Sequence, residues 1–391
     1  MKNKNTIIEA KIGNLNELTK VLSVKEQAQE QLLVVMKALG IGKIVRNLKF
    51  EKTQGYTLTS LFISLLIMRL WGKTIASATS NHFHGLCAVS KNTLYRALLN
   101  ARIDWRMLLT KITLRFHVIL REHQVNTDEH DTCAILDDTT FQKSGIRIEG
   151  VSKVFDHVTH SFIYGMKCLT LALSDGKSCY PIDFSLHREK GKKKDYGLTL
   201  KQRKEQFKEK RNAKNPDYAR KAECDESKLE MARRMLCHAV GHGINFKYVL
   251  ADSWFTCESL IQAVRELCGG SVHYIGLVKM NPKLRYQTSK SKRPQNIHEQ
   301  IVRYERTTSC YCRKYKCKYI QLHAKAGEQP IRIFIIKYGR STHWKVLLTT
   351  DTSMNFVRAF ELYERRWGIE VIFKECRGYL GLGKCQSRSY N

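Results

Sequence analysis

The sequence predicts a mixed α/β fold in which a helical N-terminal region precedes a sheet. Three observations lead to this class. Between residues 15 and 125, apolar side chains recur every three or four positions, which is typical of amphipathic helices. From Cys133 onward, apolar runs become short and rich in β-branched and aromatic residues, which is typical of strands. Beyond residue 228, helix-like and strand-like runs alternate, as in a mixed sheet.

Three adjacent strands are predicted first, over CAILDD, FIYGMKCLTLAL and CYPIDFSL. A helix over ESKLEMARRMLCHAV and a strand over FKYVLAD come next. They are followed by a helix over TCESLIQAVREL, capped by Thr256, and a strand over SVHYIGLVK. Three strands followed by alternating helix and strand are compatible with a ribonuclease-H-like core.

The stretch from 280 to 350 contains strand-like runs (KYIQLHA, IRIFIIKY, WKVLLTT) without helical periodicity, and the final helix is expected to begin near Ser353. We therefore predict a helical domain over 1–127, a sheet domain over 128–279 and 351–391, and a β-rich insertion over 280–350.

The helical region contains one candidate DNA-reading unit. In IASATSNHFHGLCAVSKNTLYRALLN, a break at Gly85 separates two helices, the second capped by Ser90. In a helix-turn-helix, Lys91, Asn92, Tyr95 and Arg96 would face DNA. A plain helical hairpin fits the pattern equally well. The apolar stretch LTSLFISLLIMRLW is too short for a membrane span and is expected to be a buried helix.

The charge balance indicates a polyanionic partner. The chain holds 67 Lys and Arg against 36 Asp and Glu, a net charge of +31, which favours nucleic acid. Residues 188–221 alone hold 14 basic and 5 acidic side chains, and we expect this segment to follow a phosphate backbone rather than to be only a solvated face. The 13 cysteines, without paired spacing, favour reduced thiols in the cytoplasm.

Acids at strand ends are the candidate catalytic groups. The pair Asp137 and Asp138 follows one apolar run and Asp252 follows another, at the strand ends where open α/β sheets place their ligands. A third acid is Glu370. Tyr363 and Arg366 precede it by seven and four residues, and Arg377 follows it by seven, which places all four side chains on one helical face.

Such a set suits the chemistry of a phosphodiester. Carboxylates can hold divalent ions, and each guanidinium offers a planar fork to phosphate oxygens. Two divalent ions can position a nucleophile and stabilise the charge that develops at phosphorus. Each acid also has a structural alternative, because a strand-end Asp is commonly a turn cap and Glu370 could simply pair with Arg366 on a helix surface.

The segments AILDDTTFQKSG, YVLADSWF and YERRWGIEVIFKECR resemble the three catalytic blocks of the DDE transposases of bacterial insertion sequences. The likeness is to the insertion-sequence-four-like group, marked by a Tyr-Arg-Glu-Lys helix, and covers about residues 130–391. It implies a ribonuclease-H-like catalytic domain with a β-strand insertion. It also implies that Asp138, Asp252 and Glu370 are the catalytic, metal-binding acids, with Tyr363, Arg366 and Trp367 contacting DNA.

Three points depart from the group's pattern. Arg377 stands where the group has Lys, and Lys374, one turn earlier, is a possible substitute. Asp137 is an alternative to Asp138 as the metal ligand. The chain stops 21 residues after Glu370, where the group usually continues into helical structure used in pairing. A truncated copy, or a dimer interface placed elsewhere, would explain this end.

The resemblance implies a transposase that needs two Mg²⁺ or Mn²⁺ ions per site, binds inverted-repeat ends as a homodimer, cleaves strands there and joins them to target DNA. We expect it in the bacterial cytoplasm, on the nucleoid when DNA-bound, and without membrane contact. Two alternatives remain. One is a hydrolytic nuclease of the same fold, and the other is a truncated, catalytically inactive DNA-binding copy.

Overall fold

The computed structural model describes residues 34–48, 55–70, 72–79, 89–123, 131–157, 159–189, 197–289, 291, 293–339 and 341–390. The helices used below are α1 (Ile41–Arg46), α2 (Leu58–Leu70), α3 (Ile75–Ala78), α4 (Lys91–Leu98), α5 (Trp105–Glu122), α6 (Leu200–Lys204), α7 (Pro216–Glu223), α8 (Lys228–Gly241), α9 (Glu258–Glu266), α10 (Ile297–Tyr304), α11 (Phe356–Glu364) and α12 (Trp367–Gly378). The strands are β1 (Cys133–Gln142), β2 (Ser152–Asp156), β3 (Ser161–Ser174), β4 (Cys179–His187), β5 (Tyr248–Ala251), β6 (His273–Leu277), β7 (Arg285–Thr288), β8 (Gln295–Asn296), β9 (Ser309–Cys312), β10 (Cys317–Ala326), β11 (Gln329–Tyr338) and β12 (Trp344–Thr349). This is the predicted class: a large mixed sheet preceded by helices.

The helices α3, α4 and α5 begin at side-chain caps. Ser90 accepts a hydrogen bond from the Thr93 N–H at the start of α4, as predicted. The four residues expected to face DNA are on this helix, but the break at Gly85 lies outside the described residues, so the helix-turn-helix stays a prediction. In the described part of the chain, no helix is long and apolar enough to cross a membrane.

The core of the sheet is a five-stranded unit. β3 pairs antiparallel with β1 and β4, while β1, β5 and β6 run parallel, which gives the spatial order β4-β3-β1-β5-β6. Parallel neighbours need crossover connections, and α8 and α9 lie between the parallel strands in sequence. Three antiparallel strands followed by two parallel strands on the far side of β1 form the predicted ribonuclease-H-like arrangement.

Each face of this core has its own apolar cluster. On one face, Ala134 and Leu136 of β1 pack in the same cluster as Met231 and Met235 of α8. On the other face, β1 and β5 residues share a cluster with α11 and α12, including Cys133, Ile135, Tyr248, Leu250, Phe356, Leu362 and Ile369. The alternation follows from strand geometry, because successive side chains point to opposite faces. We call these the α8 face and the α12 face.

The strands between β6 and α11 continue the core sheet rather than forming a separate one. β12 pairs antiparallel with β6, and the order continues through β11, β10 and β7 to β8. The three strand-like runs predicted between residues 280 and 350 correspond to β10, β11 and β12. The division of the chain into three domains stays a prediction.

Several local expectations were wrong in detail. A strand, β2, and a helix, α10, occur where none was predicted; α10 has only two turns and starts at a capping box on Asn296. Thr256 does not cap α9, because Cys257 is the N-cap and the Thr256 hydroxyl instead donates to the Asp252 carbonyl. The final helix is two helices: α11 begins after Asn355, close to the predicted start near Ser353, and α12 begins after Arg366.

The last described residues pack back onto the core. Tyr390 is buried in a cluster with Phe141, Val151 and Cys224, and its hydroxyl donates to the Leu186 carbonyl. This contact anchors the C-terminal segment near the carboxyl end of β1.

Candidate active site

Two acids lie side by side where β1 and β5 end. The parallel register of these strands finishes at Leu136 opposite Ala251, so the next residues along the two strands are Asp137 and Asp252. Asp137 and Asp252 follow Ile135 and Leu250 by two residues, and alternate residues of a strand point to the same face. Both acids therefore lie on the α12 face. Backbone N–H groups orient both carboxylates: the Asp138 N–H donates to Asp137 Oδ1 and the Trp254 N–H to Asp252 Oδ1, each at 2.8 Å.

Asp138 points to the opposite side of the sheet. It continues the alternation of Ala134 and Leu136, which pack on the α8 face. There its Oδ2 accepts a hydrogen bond from Lys228 Nζ at 2.6 Å, and both side chains are largely buried. The carboxylate assigned by resemblance is thus engaged in an ion pair away from Asp252.

Glu370 reaches the site from the first turn of α12, beside an arginine that joins two of the acids. Arg366 Nη1 lies 2.9 Å from Asp137 Oδ2, and Nη2 of the same guanidinium donates to Glu370 Oε1. Arg366 and Asp137 are 17% and 15% exposed at the side chain. The Glu370–Arg366 pairing anticipated as a surface ion pair therefore occurs, but as part of a bridge to β1.

Burial dominates the electrostatics of Asp137. It raises the pKa of the carboxyl group to about 6, although the Arg366 guanidinium and the Asp138 N–H act in the opposite direction. The nearby negative charge of Asp252 raises the pKa further. A buried carboxyl group with a raised pKa beside a second carboxylate forms a site where added positive charge is favourable.

Tyr363 and Trp367 line a neighbouring cavity of about 500 Å³, together with Tyr338, Lys345, Phe360 and Arg366. The Tyr363 hydroxyl is buried and has no hydrogen-bond partner among the described residues. Burial raises its pKa to about 12, so it remains a donor at neutral pH. Trp367 is 64% exposed at the cavity. An aromatic surface beside an unused donor and a guanidinium suits a nucleotide.

Arg377 and Lys374, the two candidate cations further along α12, differ in their contacts. Arg377 donates to the Thr139 hydroxyl and, at 3.1 Å, to the Thr140 carbonyl, so it lies over the carboxyl end of β1. Lys374 is exposed on the same helix. The structure therefore brings Arg377 to the first acid block.

The three carboxylates of the site are the kind of ligand that a hard divalent cation binds. Asp137, Asp252 and Glu370 offer carboxylate oxygens, the ligands that Mg²⁺ and Mn²⁺ prefer. In this conformation the Arg366 guanidinium bridges two of the three. Accordingly, no group of three His, Cys, Asp or Glu side chains in the described ranges is placed closely enough to hold a metal.

Two features of the site were not identified from the sequence. Strand alternation could have separated Asp137 from Asp138, because Ile135 and Leu250 are on the same face as the acids two residues later. Nothing in the local pattern marks Lys228, which lies 90 residues from its partner Asp138.

Comparison with known families gives two matches. The model of the family described as "DDE superfamily endonuclease" matches residues 62–304, and that of "Transposase DDE domain" matches residues 221–391. No curated protein matches the chain. Among solved structures, the NurA nuclease from Sulfolobus solfataricus is similar with 12% identity over 66% of this chain and 84% of that one, at a TM-score of 0.25. Since the first family model spans more than half of the sequence, the chain belongs to the DDE superfamily of endonucleases, and its C-terminal part matches the transposase DDE domain.

Proposed function

We propose that this protein is a metal-dependent transposase that cleaves DNA at the ends of its element and joins the freed ends to target DNA. The observation that carries the proposal is the position of Asp137 and Asp252 directly after the last register pair of two parallel strands, with Glu370 on α12 joined to Asp137 through Arg366. Family membership supplies the endonuclease class.

We further propose Asp137, rather than Asp138, as the first metal ligand. Asp137 shares a face with Asp252, each acid directly follows the last register pair of β1 and β5, and Arg366 connects Asp137 to Glu370. Asp138 is on the other face, paired with Lys228. This choice replaces the residue that the resemblance implied with its immediate neighbour.

The carboxylates of Asp137, Asp252 and Glu370 would hold two Mg²⁺ or Mn²⁺ ions. Such ions activate the attacking oxygen and stabilise negative charge at phosphorus. The chain's own groups prepare this site. Burial of Asp137 reduces the screening of its charge by water, and the Asp138 and Trp254 N–H groups fix the orientation of the two Asp side chains.

The cations on the helix pair would bind the substrate. When DNA enters, the planar guanidinium of Arg366 can exchange its carboxylate partners for phosphate oxygens, which accept the same paired hydrogen bonds. Arg377, at the end of β1, and the exposed Lys374 extend this positive surface along α12. Tyr363 and Trp367 would contact the sugar or base at the transposon end.

The same proposal includes inverted-repeat ends as the specific substrate and a homodimer as the assembly that pairs them. We place the reaction on the bacterial nucleoid. The strongly basic composition supports a DNA partner through counterion release, although it carries no information on DNA sequence.

The decisive experiment incubates the protein with linear DNA that carries the element's ends, in Mg²⁺ or in EDTA, beside Asp252→Asn and Glu370→Gln. We expect cleavage at the ends only with metal and wild-type protein, and end binding by all three proteins. Joined products with a target plasmid would establish strand transfer. Cleavage without joining would favour a nuclease instead, and end binding without any cleavage would leave a DNA-binding protein without catalysis.

A further inference from the structure

Lys228 lies on the α8 face of the sheet and contacts residues at both strand ends that carry the proposed ligands. Its Nζ lies 2.6 Å from Asp138 Oδ2 and 3.9 Å from the centroid of the Trp254 ring. Asp138 directly follows Asp137 in β1, and Trp254 follows Asp252 by two residues. A single ammonium group on the α8 face thus holds a residue close in sequence to each proposed ligand.

This location matters because the backbone does not secure the two acids to one another. The register between β1 and β5 ends with Leu136 and Ala251. Past that pair, β1 keeps only its partner on the other side, since Asp137 and Asp138 are opposite Thr170 and Leu169 of β3. Beyond this last backbone pair, side-chain contacts contribute to the spacing between Asp137 and Asp252.

The Lys228 contacts are strong enough to serve this role. The side chains of Lys228 and Asp138 are 14% and 22% exposed, so water screens their charges less than those of a surface pair. An ammonium close to an indole face adds a cation–π attraction. Lys228 is also the first residue of α8, whose Met231 and Met235 pack in the apolar cluster on that face, so its backbone is anchored.

A second lysine next to Asp138 does not make the same connection. Lys167 Nζ donates to the Thr140 hydroxyl and to the Phe155 carbonyl, which keeps it on the β1–β3 side of the site. Lys228 contacts both the first acid block and the second.

We propose that Lys228 is a positioning residue for the metal site. Through Asp138 and Trp254 it sets the spacing of Asp137 and Asp252, and it touches neither metal nor DNA. The inference rests on the proposed assignment of Asp137 and Asp252 as metal ligands.

The test measures metal binding separately from turnover. Mn²⁺ is titrated against the full-length protein without DNA, and free Mn²⁺ is followed by electron paramagnetic resonance for wild type, Lys228→Met, Lys228→Arg and Asp138→Asn. The same proteins are assayed for end binding and for the Mg²⁺ concentration that gives half-maximal cleavage. Lys247→Met is the matched control, because Lys247 also lies over an aromatic ring, Tyr248, but at the opposite end of β5.

We expect Lys228→Met and Asp138→Asn each to weaken Mn²⁺ binding by about 10- to 100-fold, as for other residues that support metal ligands. The double variant should be no worse than either single one, and Lys228→Arg should recover part of the affinity. End binding and its salt dependence should not change. Asp138→Asn measures the same link without altering α8, should Lys228→Met fail to fold.

Three results would overturn the inference. Unchanged Mn²⁺ affinity in Lys228→Met would remove the positioning role while leaving the proposed function intact. Weaker DNA binding with a smaller salt slope would make Lys228 a phosphate contact. If wild-type protein binds no Mn²⁺ and cuts no DNA, the proposed function fails and this inference fails with it.

Discussion

The guanidinium of Arg366 lies 2.9 Å from the carboxylate of Asp137 and donates at the same time to Glu370. The two acids come from a strand and a helix that are more than 200 residues apart in the chain. In this conformation a side-chain cation therefore lies between two of the proposed metal ligands, and it must share or leave that position for metal to bind.

Replacing Arg366 should change metal binding and DNA cleavage in opposite directions. Because Arg366→Gln removes a competing positive charge, we expect Mn²⁺ to bind the DNA-free protein more tightly by roughly tenfold, which corresponds to about 1.4 kcal/mol. Cleavage should nevertheless slow, since Gln cannot offer the phosphate a planar fork. Metal titration and single-turnover cleavage measure the two quantities. Weaker metal binding in Arg366→Gln would mean that Arg366 organises the acids instead of competing at them.

Adjacent acids should give different phenotypes. Asp137→Asn removes a proposed ligand, so we expect metal-dependent cleavage to fall by more than about 100-fold, beyond the usual effect of a supporting residue. Asp138→Asn should retain measurable cleavage at high Mg²⁺. Rates over a range of Mg²⁺ concentrations decide between them. The reverse ranking would return the ligand assignment to Asp138.

The raised pKa of Asp137 predicts a pH-dependent change in stability. Its folded pKa of about 6 exceeds the ordinary 3.8. The stability from its protonated form is therefore full below 3.8 and lost as pH rises through 6. In EDTA, Asp137→Asn should raise the melting temperature above about pH 6, with a gain that shrinks towards about pH 4. Calorimetry across this range is the measurement. The fully exposed Glu328, changed to Gln, is the control and should show no such trend.

The basic segment after β4 should contribute to the salt dependence of DNA binding. Lys201, Lys204, Lys210 and Lys214 are exposed there. If they follow the backbone, changing all four to Gln should reduce the slope of log affinity against log salt, by up to about 0.9 for each phosphate that is no longer neutralised. Lys177→Gln, in the β3–β4 turn at the other end of the sheet, is the control. An unchanged slope would identify the segment as a solvated surface.

The C-terminal anchor should matter for folding. Tyr390 fills a buried cluster and leaves no room for a side chain at Gly150, whose Cβ would come within 2.5 Å of the Tyr390 ring. We expect Tyr390→Ala to lower the free energy of unfolding by about 3–5 kcal/mol, as for other large buried aromatic residues. Denaturant unfolding measures this change. Tyr379→Ala, at the 77% exposed Tyr379, should be close to neutral.

Much of the fold follows from local patterns. Short apolar runs rich in β-branched and aromatic residues marked the strands, and the change from helical periodicity to such runs near Cys133 separated the helices from the sheet. The expectations that were wrong concerned short or locally ambiguous segments. The two-turn helix α10 depends on its cap at Asn296, and the apparent cap Thr256 has its hydroxyl hydrogen-bonded to the Asp252 carbonyl and close to the Tyr274 hydroxyl.

By itself, the sequence determined that acids stand at the carboxyl ends of two apolar strands and that a third belongs to an arginine-rich helix. Strand alternation even implies that Asp137 and Asp138 point to opposite faces. Only the tertiary structure decided which face is the site. That choice depends on where α12 packs, and α12 packs through contacts between residues more than 200 positions apart, such as Ile135 and Ile369 in one apolar cluster. Local periodicity carries no information about such contacts, because the free energy that selects them comes from burying both faces of the completed sheet.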